Sequence, residues 1–541
     1  MISAPEKAPQ GTFPVPLRKQ TGPDLKNTGV ILRVALCAGI LYLGSLWQRP
    51  LFLAEFAGSG EAVEHIFAGS PLTPRGWIGF IPLKLLGFSP FAFRIVPALL
   101  ALAAAALLLR AGSRSLFEGC GNASALIFLL SPAVFLAGTT ALPAGVNGLF
   151  PVIAALGIFL FLTAPSRREQ FAGAAAGTAA LAGTVLTTGW VFFALLFISL
   201  LLFALQPFAP GREPGSVMRR AACLLLPFAL VLRLLPYGAP AMKFACTAAG
   251  AELLGATLLA GGFPWIVALP LAVRDLVFRF ETARKDDFFC FCLILSVLSP
   301  AAAVVLPFGS GAFLLFFAGA SGVLGAGLIA HYDERGYGAL NRALYILAGV
   351  FLLAGILIAV WGALGAWTKL IPQTLRLLRA KDAWALMAIV PAVTAVWCLT
   401  GARENRNRSL KFLSFCAGLA FFLFALHGLT PLAVVEREAP LAFVRQAVLA
   451  RTPRDSQLWS DPGMRPVLMA ADRNGKVRRF SGPEAFLDLA VEVRKGKKAC
   501  VVTADRRLAD ALPFPKTTLR AGRFNAVFYN IDFPEMRMRK P

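Results

Sequence analysis

The sequence predicts an all-α polytopic membrane protein with about thirteen transmembrane helices, followed by a small C-terminal α/β soluble domain. Three observations carry that expectation. Mean hydropathy is +0.68, with 57% hydrophobic and 15% charged residues, too apolar for a surface that water must wet. The apolar residues fall in runs of about 18 to 25, the length that carries a helix across roughly 30 Å of hydrocarbon. Beyond residue 435 those runs end, and short alternating or amphipathic segments replace them.

Taken in order, residues 1–28 are polar and rich in Pro, Gly and Lys. The first apolar run follows them without a small-residue cleavage site, so they read as a cytoplasmic tail before a signal anchor. Apolar spans then fall near 29–48, 91–110, 123–139, 146–164, 171–187, 189–207, 221–235, 255–273, 288–307, 311–330, 342–363, 383–401 and 412–431. With the N-terminus inside, the inner loops gather Arg110, Arg114, Arg167, Arg168, Arg219, Arg220, Arg284, Lys285, Arg403 and Arg406, and the outer loops carry fewer cations. An odd number of spans puts the last segment, 436–541, on the outer face. The membrane region is thus 29–435 in the cytoplasmic membrane.

Two outer segments exceed what a connection requires. Residues 50–90 mix Glu55, Glu61, Glu64, His65 and Trp77 with apolar residues, which suits helices lying along the interface. Residues 364–382 place Lys369, Arg376, Arg379 and Lys381 between Leu and Ile, a basic amphipathic pattern against headgroups. In the C-terminal segment PVLMAA, KACVVTA and FNAVFYN read as strands, and PEAFLDLAVEVRKG reads as a helix stopped by glycine. It contains no glycine-rich phosphate loop and no nucleophile elbow, so its expected role is structural or substrate-gating.

Composition also excludes classes. The formal charge of +24 is scattered between spans rather than gathered on one wettable face, which argues against nucleic acid. The nine cysteines lie mostly in apolar runs and act as small hydrophobes. Cys290 and Cys292 point to different faces of a helix and make no metal pair. A transporter would show paired, broken helices in two matching halves, and no such duplication is present.

Chemistry is expected where carboxylates cluster, in the first outer loop RPLFLAEFAGSGEAVEHIF. On a helix Glu61 and His65 share a face at i,i+4, where they either meet a substrate or metal or form a solvated face. The loop order, RPLFL, a carboxylate, GEAV, a Pro-Arg pair and PLKLLGFSPFAFRIVPALLA, resembles the GT-C membrane glycosyltransferases, particularly the lipid A aminoarabinose transferases and protein O-mannosyltransferases. The similarity continues through LLSPAVFLAGTTALPAGVNGLF, TVLTTGWVFFALL and GGFPWIVALPLAV.

That resemblance implies transfer of a sugar from a polyprenyl-phosphate donor to a lipid, glycan or protein acceptor at the outer face. It implies that Glu55, at the position of the family's first-loop Asp, is the principal carboxylate, serving the acceptor or a divalent cation. Glu61 matches the glutamate of the family's AEIA pattern, and Arg94 and Pro97 match its Arg-Leu-Pro. Several positions depart from the pattern. Phe56 replaces the partner glutamate, Asn147 the second acidic residue, and Thr188, Gly189 and Trp190 the Lys-Gly-Pro. Arg94, Arg233, Lys243 and Lys369 are the cations left to meet a phosphate, and Asn147 and His65 to bind substrate. Those departures also keep open a second reading, a non-catalytic relative that binds polyprenyl lipid or scaffolds an envelope complex.

Overall fold

The structure is a computed structural model that describes residues 38–46, 51–205 (without 52, 74, 75, 118 and 189), 261–279, 285–305, 310–335, 338–364, 383–403, 412–427 (without 414 and 426) and 439–531 (without 454, 472–476, 481, 513–515, 522 and 523). The expected tail 1–28, the span at 221–235, nearly all of 364–382, and Arg233, Lys243 and Lys369 lie outside the described residues.

The segment 50–90 folds as two helices, α1 (Leu53–Ala68) and α2 (Gly76–Leu86), which lead into α3 (Pro90–Gly112). Local chemistry starts α3. The Ser89 hydroxyl accepts the Ala92 amide, and Pro90 occupies the first helical position, where its missing N–H costs nothing. Its 23 residues span about 34 Å at ~1.5 Å each. The chain continues through α4 (Cys120–Leu129), α5 (Pro132–Thr139), α6 (Pro143–Thr163), α7 (Arg167–Thr188) and α8 (Trp190–Ala204). Helices α4 and α5 meet at a 65° bend, where Pro132 cannot supply the N–H that a straight helix needs.

Small residues set how closely these helices approach. A Cβ on Gly157 of α6 would lie 2.6 Å from the Gly177 amide nitrogen of α7, and one on Gly173 would lie 2.8 Å from the Gly157 carbonyl oxygen. Backbone therefore meets backbone, the packing that small-xxx-small spacing permits in lipid. Further apolar helices, α9 (Leu269–Arg279), α10 (Asp287–Val305), α11 (Ser310–Arg335), α12 (Gly338–Leu364) and α13 (Ala383–Arg403), complete the described bundle. Among the described residues, Pro90–Gly112 and Gly145–Thr163 are each long and apolar enough to cross a bilayer, and the bent α4–α5 pair makes a third if it is one span.

At one end of the bundle, Glu169 at the start of α7 pairs with both Arg110 and Arg114. Asp286 is buried there, accepting the Ser115 hydroxyl and the amides of Leu116 at 2.8 Å and Phe288 at 2.9 Å. It caps α10 and pins the α3–α4 turn in one step. Burial pushes its carboxyl above the ordinary range, against four hydrogen bonds that lower it.

The C-terminal segment opens with α14 (Pro440–Phe443), continued by a π-helical turn over Val444–Leu449. A five-stranded sheet follows: β1 (Gln457–Ser460), β2 (Val477–Arg479), β3 (Ala499–Thr503), β4 (Thr517–Ala521) and β5 (Phe524–Tyr529), ordered β2-β1-β3-β5-β4. Strand β1 runs parallel to β2 and β3, and β5 is antiparallel to β3 and β4. KACVVTA and FNAVFYN form β3 and β5, and PEAFLDLAVEVR forms α16 (Gly482–Arg494), after the short α15 (Arg465–Ala471). PVLMAA is a correction. It lies in α15 rather than in a strand, with Val467, Leu468 and Met469 fully buried, because a short continuous apolar run fits a buried helix as well as a buried strand.

One hydrophobic core joins the two regions. Leu51, Phe56, Val63, Phe80 and Phe93 pack with Phe443, Val448, Val467, Leu468 and Phe524. Helix α15 is consequently seated on α1, where a Cβ on Gly60 would lie 3.2 Å from Pro466 and Glu64 pairs with Arg465 at 3.2 Å.

Candidate functional site

Glu55 stands in the first turn of α1 and Arg94 in the first turns of α3, and both are fully buried. Their side chains form a bidentate pair, Arg94 Nε to Glu55 Oε1 at 2.7 Å and Nη2 to Oε2 at 2.8 Å. Oε1 also accepts the Ala141 amide at 3.0 Å, and Arg94 Nη1 donates to the Leu46 carbonyl at 3.1 Å. A fork-on-fork guanidinium–carboxylate contact is the strongest geometry open to the two groups. Removing one partner of a buried pair costs about 3–5 kcal/mol, because the other is stranded away from water. Phe56, where the resemblance leads to a glutamate, is fully buried against Phe93 with ring centroids 5.2 Å apart.

Beside the pair lies a cavity of about 40 Å³ lined by Ser59, Gly79, Pro97, Ala141, Asn147 and Thr187, together with apolar side chains. The cavity is partly open to the outside, so groups larger than a single water can reach its polar wall. Asn147 sits in the first turns of α6 and has no hydrogen bond to a described residue. The Thr187 hydroxyl donates to the Gly183 carbonyl at 2.8 Å, which leaves its lone pairs for a donor. No ionisable side chain is among these described lining residues.

The expected site residues do not all converge. Asn147 lines the cavity, and Glu55 reaches it through Ala141, a lining residue whose amide it holds. Glu61 is exposed and accepts the Thr73 hydroxyl, near the start of α2. His65 donates from Nδ1 to the Ser70 carbonyl at 2.6 Å, and its ring packs edge-on to Phe80. Arg94 spends its guanidinium on Glu55 and Leu46 and is not a lining residue. Ser59 and Thr187 were missed by sequence reasoning. Both had signals, Ser59 standing one turn beyond Glu55 and Thr187 next to the Thr-Gly-Trp that replaces a family motif.

A divalent cation finds no fitting set here. Among the described residues no three His, Cys, Asp or Glu side chains converge, and both Glu55 oxygens are taken by Arg94.

This helical bundle, with the paired helices α1 and α2 packed against a small C-terminal domain, resembles the fold of the GT-C membrane glycosyltransferases. In particular, it is similar to ArnT, the lipid A aminoarabinose transferase. The crystal structure of ArnT from Cupriavidus metallidurans bound to undecaprenyl phosphate aligns with a TM-score of 0.67 and 16% identity, covering 93% of this chain and 98% of that one. The apo structure of the same protein aligns at 0.64 and 17% identity, covering 92% and 97%. No family model and no curated protein matches the sequence.

Proposed function

We propose that the chain is a multi-pass cytoplasmic-membrane glycosyltransferase that moves a sugar from a polyprenyl-phosphate-linked donor to a lipid, glycan or protein acceptor at the outer face. The observation that carries this reading is the likeness over almost the whole chain to a transferase solved with undecaprenyl phosphate. In this reading the thirteen spans run from a cytoplasmic tail at 1–28 through 435, and 436–541 is extracytoplasmic. The acceptor oxygen bonds the anomeric carbon as the bond to the donor phosphate breaks, and the acceptor's proton leaves with polyprenyl phosphate. Asn147, with Ser59 and Thr187, holds the reacting hydroxyl in the small cavity. Glu55 orients that wall, Glu61 supports it, and Lys243 and Lys369 meet the phosphate.

One observation favours a second reading, a non-catalytic relative that binds polyprenyl lipid or scaffolds an envelope complex. The described cavity wall is uncharged, and the first-loop carboxylate is fully engaged by Arg94. The purified, lipid-reconstituted protein and its Glu55→Gln variant, incubated with a panel of polyprenyl-phosphate sugars, separate the two. Release of polyprenyl phosphate that falls in the variant supports the transferase. Binding of the donors without release, by protein shown to be folded, supports the second reading instead.

A further inference from the structure

We infer that Glu55 and Arg94 are a positioning pair, which shapes the cavity wall by tying four chain segments together and touches neither substrate nor cation. The inference deepens the proposed function and rests on it only where turnover is measured.

Four observations converge. Each partner is fully buried, so neither offers an atom to a ligand in the cavity. Both carboxylate oxygens are occupied, one of them twice, and the Arg94 fork is spent on the carboxylate and the Leu46 carbonyl. Among the described residues, the four segments so joined are the helix ending at Leu46, α1, α3 and the α5–α6 turn at Ala141. Each of the last three supplies cavity wall at or within one turn of the pair: Ser59 four residues after Glu55, Pro97 three after Arg94, and Ala141 itself. Asn147 then follows on the helix that begins just after Ala141. Moving either partner displaces every polar group of that wall that these segments carry. A general base or a metal ligand, by contrast, needs a carboxylate oxygen facing the reacting atoms.

The test uses the full chain in lipid with Glu55→Gln, Arg94→Gln, the double variant and the conservative Arg94→Lys. In thermal unfolding, each Gln variant is expected to lower the midpoint, with the double variant no lower than the worse single, because one interaction is lost in all three. Asn147→Cys, placed in each background, reads the wall without turnover. Labelling by a water-soluble maleimide should change about tenfold or more in Arg94→Gln and return toward the parent in Arg94→Lys, the native-cysteine background being subtracted.

In donor turnover, Glu55→Gln and Arg94→Gln should lose kcat to a similar degree while the pH profile keeps its shape. Additive thermal losses, or cysteine labelling that Arg94→Gln leaves unchanged, overturn the inference. So does a Glu55→Gln protein with a native midpoint, little turnover and no acidic limb in its pH profile, which is the signature of a base. Absence of turnover from every donor by the parent counts against the transferase reading alone, and the unfolding and labelling results still decide the pair.

Discussion

Asn147 carries the most direct residue-scale prediction. It lines the cavity, and a leucine there replaces the amide with methyl groups. Asn147→Leu should lower donor turnover about 100-fold, since small misplacements at a reacting centre cost that much, while the unfolding midpoint stays near the parent's. Equal losses of turnover and stability would reduce Asn147 to a packing residue. Cys500 tests the sheet in the same way. Burial pushes its thiol up to about 12, so at pH 8 only about one molecule in 10⁴ presents a thiolate. Iodoacetamide should modify it after denaturation and not before, as peptide mass spectrometry would show. Much of this neighbourhood was legible in the sequence, because the family resemblance singles out Glu55, Arg94 and Asn147. Their division of labour was not legible, since residue type says nothing of which carboxylate finds which guanidinium.

At the scale of elements, the close approach of α6 and α7 makes a sharp prediction. Gly173→Val places methyls where the Gly157 carbonyl and the Phe161 amide already stand, each 2.8 Å from the first added carbon. It should cost about 1–3 kcal/mol or more and lower the unfolding midpoint. Gly349→Ala in α12 is the matching control, because its added Cβ meets nothing within 4 Å. It should be neutral or stabilise by up to about 1 kcal/mol through helix propensity. Apolar runs made most of the bundle helices readable. The α4–α5 bend was not, because Ser-Pro within an apolar run is compatible with a kink or with a straight, tolerated proline. In the C-terminal region β3 and β5 were legible from continuous β-type runs. Strand β2 has only three residues, two of them arginine, and falls below what periodicity can detect.

For the whole molecule, the C-terminal domain and the helices α1 and α2 share one core, a contact between residues some 400 positions apart in the chain that no local pattern announces. The C-terminal domain, expected to be structural or substrate-gating, packs through α15 against α1. Arg465→Glu sets a second carboxylate against Glu64 and should loosen that seat, lowering the unfolding midpoint. Ending the chain at 435 should do more, because it uncovers Phe56, Phe80 and Phe93 to water. Size-exclusion chromatography should then show aggregate in place of a single folded species. A truncated chain that remains monodisperse and thermally native would contradict the shared core. The central claim is that the cavity between α1, α2 and the ends of α3, α6 and α7 receives a polyprenyl-phosphate substrate. Its most direct test is a cryo-electron microscopy map of the protein in nanodiscs loaded with undecaprenyl phosphate. Lipid density that brings its headgroup to the mouth of this cavity, within a sugar's reach of Ser59, Asn147 and Thr187, is the expected result, and saturating lipid with its headgroup remote from this cavity would contradict the claim.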